Sequence, residues 1–358
     1  MQFPLELLRR CWFLSGPTAC GKSDVGLNLA MKLDAEIVAL DSMSLYRGLD
    51  VGTAKPSSEA RRSRPHHLID VIGPHEEYSL TDYVQAAEAA CREIVSRGRT
   101  PLFVGGTGLY LRGILRGIFD GPPADWKLRR RLESEAQREG PEILHRRLQE
   151  VDPAAAKLLH PHDVRRVIRG LEVYHSTGRP LSQQQQQQPL AVEQRPRHVY
   201  WLSPPRDWLY ERINRRVEAM FAAGLVGEVQ RLILGTERLG DEQTTFESLE
   251  GGGEAPPLAP PSQGGGDIVG SHEGGDVVGR SLSRTARQAL GYKEVIDYLK
   301  GRGSLEMTVE LIQKRTRRFA KRQHTWFRNL EECRPVEITG RETPQDISER
   351  LLEANELN

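Results

Sequence analysis

Short apolar runs alternate with segments of helical periodicity over the first 120 residues. The runs at 11–14, 37–40 and 101–104 are bounded by polar or glycine-rich turns, and they predict buried strands. Val25, Leu29 and Leu33 are four residues apart, which predicts one buried helix face within 24–33, and residues 80–97 also have a helical pattern. Strands separated by helices indicate a parallel sheet flanked by helices, so we predict an α/β fold.

The rest of the chain has mainly a helical pattern. Residues 124–180 are rich in arginine and predict a smaller helical insertion, after which the run 198–202 returns to the sheet. Further helices are expected at about 205–234, 284–300 and 305–330. In the last of these, Ile312, Phe319 and Trp326 are seven apart, so we expect them to form one apolar stripe facing the core.

Charge is distributed unevenly along the 358 residues. Lys and Arg total 50 and Asp and Glu total 49, but residues 236–279 hold nine acids and one base. This segment has a net charge of −8, and the remainder has +9, so overall neutrality does not argue against nucleic-acid binding. The segment also holds 11 glycines and 4 prolines, which predicts an acidic, disordered insertion.

Composition also excludes several classes of protein. No run of 18 apolar residues exists, and the first ten residues lack the features of a secretory signal, so we expect no membrane association. The four scattered cysteines show no metal-ligand spacing and fit a reducing, cytoplasmic location.

The sequence GPTACGKS at 16–23 matches the P-loop pattern G-x-x-x-x-G-K-[ST]. It follows a predicted strand and precedes a predicted helix, which is the context that a phosphate-binding loop requires. Its backbone N–H groups and Lys22 would surround a di- or triphosphate, and the Ser23 hydroxyl could bind Mg²⁺. The motif does not show what is done with the phosphates.

Two further turns follow predicted strands at the same edge of the sheet. Asp41 and Ser42 could bind metal, accept a proton or only cap the next helix. The glycine turn 105–110 places Thr107 where its hydroxyl could contact a phosphate, although an ordinary strand-to-helix connection has the same pattern.

Basic residues are concentrated in two places. Residues 314–322 hold six cations and no acid, which favours contact with a nucleic-acid backbone over a merely solvated face. Arg212 and Arg216 are one helical turn apart and could both reach the phosphates, although surface arginines at this spacing are common.

Six motifs in this order resemble the tRNA dimethylallyltransferase family, over nearly the whole chain except 236–279. They are GPTACGKS (16–23), DS with YRGLDVGTAKP (41–42, 46–56), HHLID (66–70), GGTGLY (105–110), RRVIRGLEV (165–173) and ALGYKE (289–294).

The resemblance implies transfer of a dimethylallyl group from dimethylallyl diphosphate to N6 of the adenosine at tRNA position 37, beside the anticodon. Asp41 would accept the amine proton, Thr107 would contact the transferring group, and Arg216 would add a diphosphate contact. Mg²⁺ at Ser23 would balance the charge of the departing diphosphate. The residues implied to hold the diphosphate are Gly16, Thr18, Ala19, Cys20, Gly21, Lys22 and Ser23. Those implied to hold tRNA are Asp41, Ser42, Met43, Ser44, Arg165, Arg166, Arg169, Arg318 and Arg322.

These inferences divide the chain into six parts and leave two other functions open. The parts are a P-loop core (1–123), a helical tRNA-binding insertion (124–196), more core (197–235), the acidic insertion (236–279), core helices with a basic RNA-binding face (280–335) and a C-terminal tail (336–358). We expect a monomer. The alternatives are a P-loop small-molecule kinase or ATPase, which the basic helices disfavour, and a nonenzymatic RNA-binding switch, which Asp41 and Thr107 disfavour.

Overall fold

The protein is described here from a computed structural model that covers residues 1–185, 187–234 and 282–356. The acidic insertion predicted at 236–279 lies outside these described residues.

Six parallel strands form one central sheet within the described residues. The strands are β1 (Trp12–Ser15), β2 (Ala35–Ala39), β3 (His66–His67), β4 (Thr100–Gly105), β5 (His198–Ser203) and β6 (Arg334–Glu337). Their order across the sheet is β3-β2-β4-β1-β5-β6. The central strand β1 pairs with both β4 and β5, which places Ser15 level with Gly105 at the carboxyl ends of β1 and β4 and beside Trp201 of β5. The predicted α/β class is confirmed.

Helices connect the strands and cover the sheet. They are α1 (Leu5–Leu8), α2 (Lys22–Lys32), α3 (Ser58–Ser63), α4 (Leu80–Ser96), α5 (Gly108–Arg116), α6 (Trp126–Glu139), α7 (Glu142–Val151), α8 (Pro153–Leu158), α9 (Val164–Thr177), α10 (Leu181–Gln184), α11 (Arg206–Ala222), α12 (Leu225–Leu234), α13 (Arg284–Arg287), α14 (Tyr292–Leu299), α15 (Leu305–Arg328) and α16 (Pro344–Glu356). None of the helices in the described part of the chain is long and apolar enough to cross a membrane.

Alternating side chains of the strands pack into two cores, one on each face of the sheet. Phe13 and Phe103 stack with ring centroids 4.8 Å apart on one face, whereas Leu14 and Leu102 point into the core on the other face. Because β1 is buried on both faces, its sequence has no polar alternation until Ser15. Two-sided burial fixes the carboxyl ends of β1, β2 and β4, from which the candidate site is built.

Helices α6 to α9 have a small core of their own. Leu128 and Leu132 of α6, Leu144 and Leu148 of α7, and Val167 of α9 are buried together in a cluster separate from the two cores of the sheet. This separate packing agrees with the predicted helical insertion. Its role in binding tRNA stays a prediction.

Two short strands were not predicted, and the segment predicted as a C-terminal tail contains a packed helix. Strands β3 and β6 lie at the two edges of the sheet, and their polar sequences, HH and RPVE, carry no apolar run. After β6, helix α16 packs against α2 with Ile347 and Leu351 buried. Residues 336–358 therefore include part of the folded core.

Two predicted helices are each divided in the structure. The helix expected at 205–234 consists of α11 and α12, which are separated at Gly224. The helix expected at 284–300 consists of α13, which ends at Arg287, and α14, for which Gly291 is the N-cap. Both glycines have positive φ, a backbone conformation that redirects the chain into the following helix.

Candidate functional site

The P-loop curls between β1 and α2 as its sequence predicts. Ala19 has the left-handed backbone conformation with φ +66°, and Gly21, with φ +89°, caps the N-terminus of α2. This backbone brings the loop to the positive end of the helix dipole. Lys22 is the first residue of α2, and its Nζ donates to the Pro17 carbonyl at 3.2 Å. The loop can therefore bind an anion through N–H groups and one ammonium.

The other predicted P-loop residues divide between core and surface. Cys20 is buried in the core beneath the loop, so only its backbone can face a ligand. Ser23 is exposed in the first turn of α2, where its hydroxyl is free to meet an ion. Within the described residues, no cluster of three or more His, Cys, Asp or Glu side chains could hold a metal ion. An ion here would need ligands from a bound phosphate and from water, as Mg²⁺ commonly has.

A buried glutamine of α15 joins the P-loop to the glycine turn. The Gln323 Oε1 accepts from the Thr18 N–H at 2.9 Å, and its Nε2 donates to the Gly106 carbonyl at 2.8 Å. Gln323 is 6% exposed, and its bond to Gly106 is buried, whereas its bond to Thr18 is partly buried. Gln323 was not among the predicted site residues. The one available signal was a polar residue on the buried side of α15, between Ala320 and Phe327.

Asp41 and Thr107 lie together at the carboxyl edge of the sheet, as predicted. The Thr107 Oγ1 accepts from the Ser42 N–H at 3.1 Å, which ties the segment after β2 to the turn after β4. The Asp41 Oδ1 accepts from the Met43 N–H at 2.9 Å, and the Ser44 hydroxyl donates to the Asp41 carbonyl at 3.0 Å. The carboxylate is thus held by its own turn, with its other oxygen left for a ligand.

Arg216 reaches the same edge from α11. Its Nη2 donates to the Thr53 carbonyl at 3.2 Å. Burial lowers the pKa of Arg216, and the nearby Asp41 carboxylate opposes that shift. Arg212, one turn earlier, donates from Nε to the Ala19 carbonyl at 3.0 Å. Both arginines therefore lie beside the P-loop, and Arg216 also lies near Asp41.

A buried glutamate fixes the neighbouring loop 50–55. The Glu228 carboxylate of α12 accepts from the backbone N–H groups of Asp50, Val51 and Gly52 at 3.0, 2.7 and 3.2 Å. The Tyr292 hydroxyl donates to the same carboxylate at 2.6 Å, and burial together with this negative charge raises the pKa of Tyr292. The Glu228 carboxylate therefore fixes the loop whose Thr53 carbonyl accepts the bond from Arg216.

Replacing Glu228 with alanine is expected to lower the free energy of unfolding by about 3 kcal/mol, because three backbone N–H groups and the buried Tyr292 hydroxyl lose a shared buried acceptor. Urea denaturation followed by circular dichroism measures the change. The exposed Glu211→Ala should stay within about 0.5 kcal/mol of the unsubstituted protein. Equal losses in the two variants would contradict the buried role of Glu228.

The exposed face of α15 is strongly basic, as predicted. Arg318 and Arg322 are both exposed on this helix. The predicted apolar stripe is wrong at Phe319, which is 37% exposed. The buried positions are Thr308, Ile312, Thr316, Ala320, Gln323 and Phe327. Small and polar residues thus occupy much of the buried side of α15.

The predicted arginines of the insertion differ in their surroundings. Arg165 and Arg166 are exposed at the start of α9. Arg169 instead pairs with Glu172, a buried carboxylate that also accepts a bidentate bond from Arg129. The charge of Arg169 is balanced inside the insertion. Arg166 is exposed but pairs with Asp163 at 3.3 Å, whereas Arg165 presents its charge to solvent.

The comparison with known families decides between the functions left open by the geometry. The family model for IPP transferase matches residues 44–257 and 268–330. The chain belongs to the IPP transferase family.

Named members of this family match almost the entire chain. The tRNA dimethylallyltransferase of Pelotomaculum thermopropionicum is 40% identical over 96% of this chain and 95% of that protein. The tRNA dimethylallyltransferase 1 of Pelobacter propionicus is 42% identical over 89% of this chain and 90% of that protein. The crystal structure of the tRNA isopentenylpyrophosphate transferase of Bacillus halodurans shares 33% identity and a TM-score of 0.60, covering 98% of this chain and 99% of that one.

Proposed function

We propose that this IPP transferase family member transfers a dimethylallyl group from dimethylallyl diphosphate to N6 of adenosine 37 in tRNA, releasing diphosphate. One observation carries the proposal: the P-loop and the segment that contains Asp41 are held together at the carboxyl edge of the sheet. Gln323 holds the P-loop against the Gly106 turn, and Thr107 of that turn holds the segment of Asp41. An anion cradle and a carboxylate thus lie at one edge of the sheet.

Each part of this edge has a distinct task in the proposed reaction. The P-loop and Lys22 bind the diphosphate and stabilise the charge that develops on it as the C–O bond breaks. Asp41 orients the attacking N6 amine and accepts its proton as the C–N bond forms. Arg216 adds positive charge between the two groups. The target base must leave its stack to reach this edge.

Mg²⁺ fits the residues present and would be held by the Ser23 hydroxyl. When bound, the ion would neutralise part of the diphosphate charge. We also propose a monomer in a reducing compartment such as the cytoplasm. The reducing compartment is supported by the four free cysteines, two of which, Cys11 and Cys91, have their Sγ atoms 4.0 Å apart without a disulfide.

Incubation of the purified protein with unmodified tRNA, Mg²⁺ and radiolabelled dimethylallyl diphosphate is expected to put the label into RNA. Nuclease digestion and chromatography should recover it as one modified adenosine. EDTA should suppress the transfer, and excess Mg²⁺ should restore it. Consumption of ATP without labelled RNA would overturn the proposal in favour of a kinase or ATPase.

A further inference from the structure

Helix α15 carries an aromatic ring that the cores do not use. Phe319 is 37% exposed and belongs to none of the three hydrophobic clusters formed by the described residues. On the same helix, Ile312 and Phe327 are 2% and 0% exposed. Exposure of a large ring costs solvation free energy, and a partner that covered it would recover that cost. The surroundings of the ring indicate which kind of partner that is.

Unpaired positive charge surrounds Phe319. Lys314, Arg318, Lys321 and Arg322 all lie on α15, and none forms an ion pair with another residue in the described part of the chain. The Arg322 guanidinium lies over the Phe319 ring, 5.6 Å from its centroid. An aromatic ring among cations that have no acidic partner is typical of a surface that binds single-stranded nucleic acid.

Two other arginines of α15, unlike the four cations around Phe319, have polar partners in the protein. Arg315 pairs with Glu294 of α14, and Arg317 donates to the Asn214 side chain of α11. These two arginines attach α15 to the core. The four unpaired cations lie on the exposed side, so their charge remains available to an anionic partner.

The position of Phe319 connects this surface to the catalytic edge. Phe319, Gln323 and Trp326 follow the i, i+4, i+7 spacing of one helix side. Gln323 bonds to the P-loop and the Gly106 turn, and Trp326 packs so closely on Gly108 that a Cβ there would lie 2.2 Å from its ring. Phe319 is thus about one helical turn, roughly 6 Å along the helix axis, from Gln323, which contacts the P-loop.

We propose that the Phe319 ring stacks on an unpaired loop base of the RNA substrate, close in the loop to the nucleotide that enters the site. Arg318, Lys321 and Arg322 hold the adjoining phosphates. Stacking accepts any base, so this contact selects an open single-stranded loop rather than a duplex. The inference rests on the proposed function, because it takes the RNA substrate as the partner.

Phe319→Leu is expected to weaken binding of a fluorescein-labelled anticodon stem-loop by about 5- to 150-fold, the range found for base stacking on an aromatic side chain. Phe319→Trp should restore binding, since it keeps a stacking face. Leu311→Ala provides the matched control, because Leu311 lies on the same helix and is 39% exposed. It should change the affinity less than 2-fold. Equal losses for Leu311→Ala and Phe319→Leu would overturn the proposal.

A set of RNAs with one abasic nucleotide at each loop position then tests stacking itself. If Phe319 stacks on one base, removing that base should abolish the difference between the unsubstituted protein and Phe319→Leu, whereas other abasic positions should leave it intact. An undiminished difference at every position would refute stacking. Should Phe319→Leu fail to fold, indole fluorescence of Phe319→Trp supplies the second test, measured against the unsubstituted protein with its five native tryptophans. Greater quenching of Phe319→Trp by the intact loop would support the proposal, and equal quenching of the two proteins would overturn it.

Measuring label transfer at saturating RNA separates this inference from the proposed function. Phe319→Leu should then retain turnover, because the ring touches neither the P-loop nor Asp41. If the unsubstituted protein binds the loop through Phe319 but transfers no label, the proposed function fails and the RNA surface stands. If label is transferred but Phe319→Leu binds the loop normally, the surface fails and the proposed function stands.

Discussion

Asp41→Ala is expected to lower kcat for prenyl transfer by about 100- to 10,000-fold, the range attributed to a positioned general base. The carboxylate lies at the sheet edge, held through one oxygen by the Met43 N–H. Without it, the amine proton has no acceptor. Single-turnover label transfer with RNA and donor both saturating measures the effect directly.

RNA affinity distinguishes this role from a structural one. Asp41→Ala should bind the anticodon stem-loop within about 3-fold of the unsubstituted protein, because the basic surface of α15 is untouched. Asp207→Ala removes an exposed carboxylate from α11 and should preserve both turnover and binding. A tenfold or greater loss of RNA affinity in Asp41→Ala would refute its role as the base.

Lys22→Ala is expected to raise the Kd for dimethylallyl diphosphate by about 10- to 100-fold, consistent with loss of a charge-assisted hydrogen bond. Lys22 begins α2, where the helix dipole and the loop N–H groups already favour an anion. Turnover should also fall, because the same ammonium stabilises the departing diphosphate. Calorimetric titration of the donor measures the binding, and label transfer measures the turnover.

Lys32→Ala is the matched control for this prediction. Lys32 lies at the other end of α2 and pairs with Glu349 of α16 at 2.8 Å. Its removal should leave donor affinity unchanged and cost less than about 1 kcal/mol of stability. Unchanged donor affinity in Lys22→Ala would contradict the proposed binding of the diphosphate by Lys22 and the P-loop.

Local sequence signals predicted the parts of this fold that local chemistry determines. The P-loop depends on glycines and a lysine within eight residues, so its geometry follows from one short motif. The buried strands of the sheet are apolar on both faces, which makes them visible as runs. Asp41 and Thr107 could be placed at one edge because each follows such a strand.

Long-range polar partners could not be predicted in this way. Gln323 bonds to Thr18 across 305 positions, and Glu228 holds a loop that lies 176 to 178 positions earlier. Neither residue type nor spacing indicates such a partner. The prediction that Phe319 is buried was wrong for a related reason. A spacing of seven residues places the ring on one side of the helix but does not show whether another element covers that side.

The Gln323 bridge has a consequence for anyone who redesigns the enzyme. A single buried amide fastens the helix that carries the basic surface to both loops of the catalytic edge. Rotating or shifting α15 to accept a different RNA would strain the P-loop and the glycine turn together. Substrate range is therefore more readily altered by exchanging exposed side chains on α15 than by changing its packing, and Gln323 should stay constant in any library built on this scaffold.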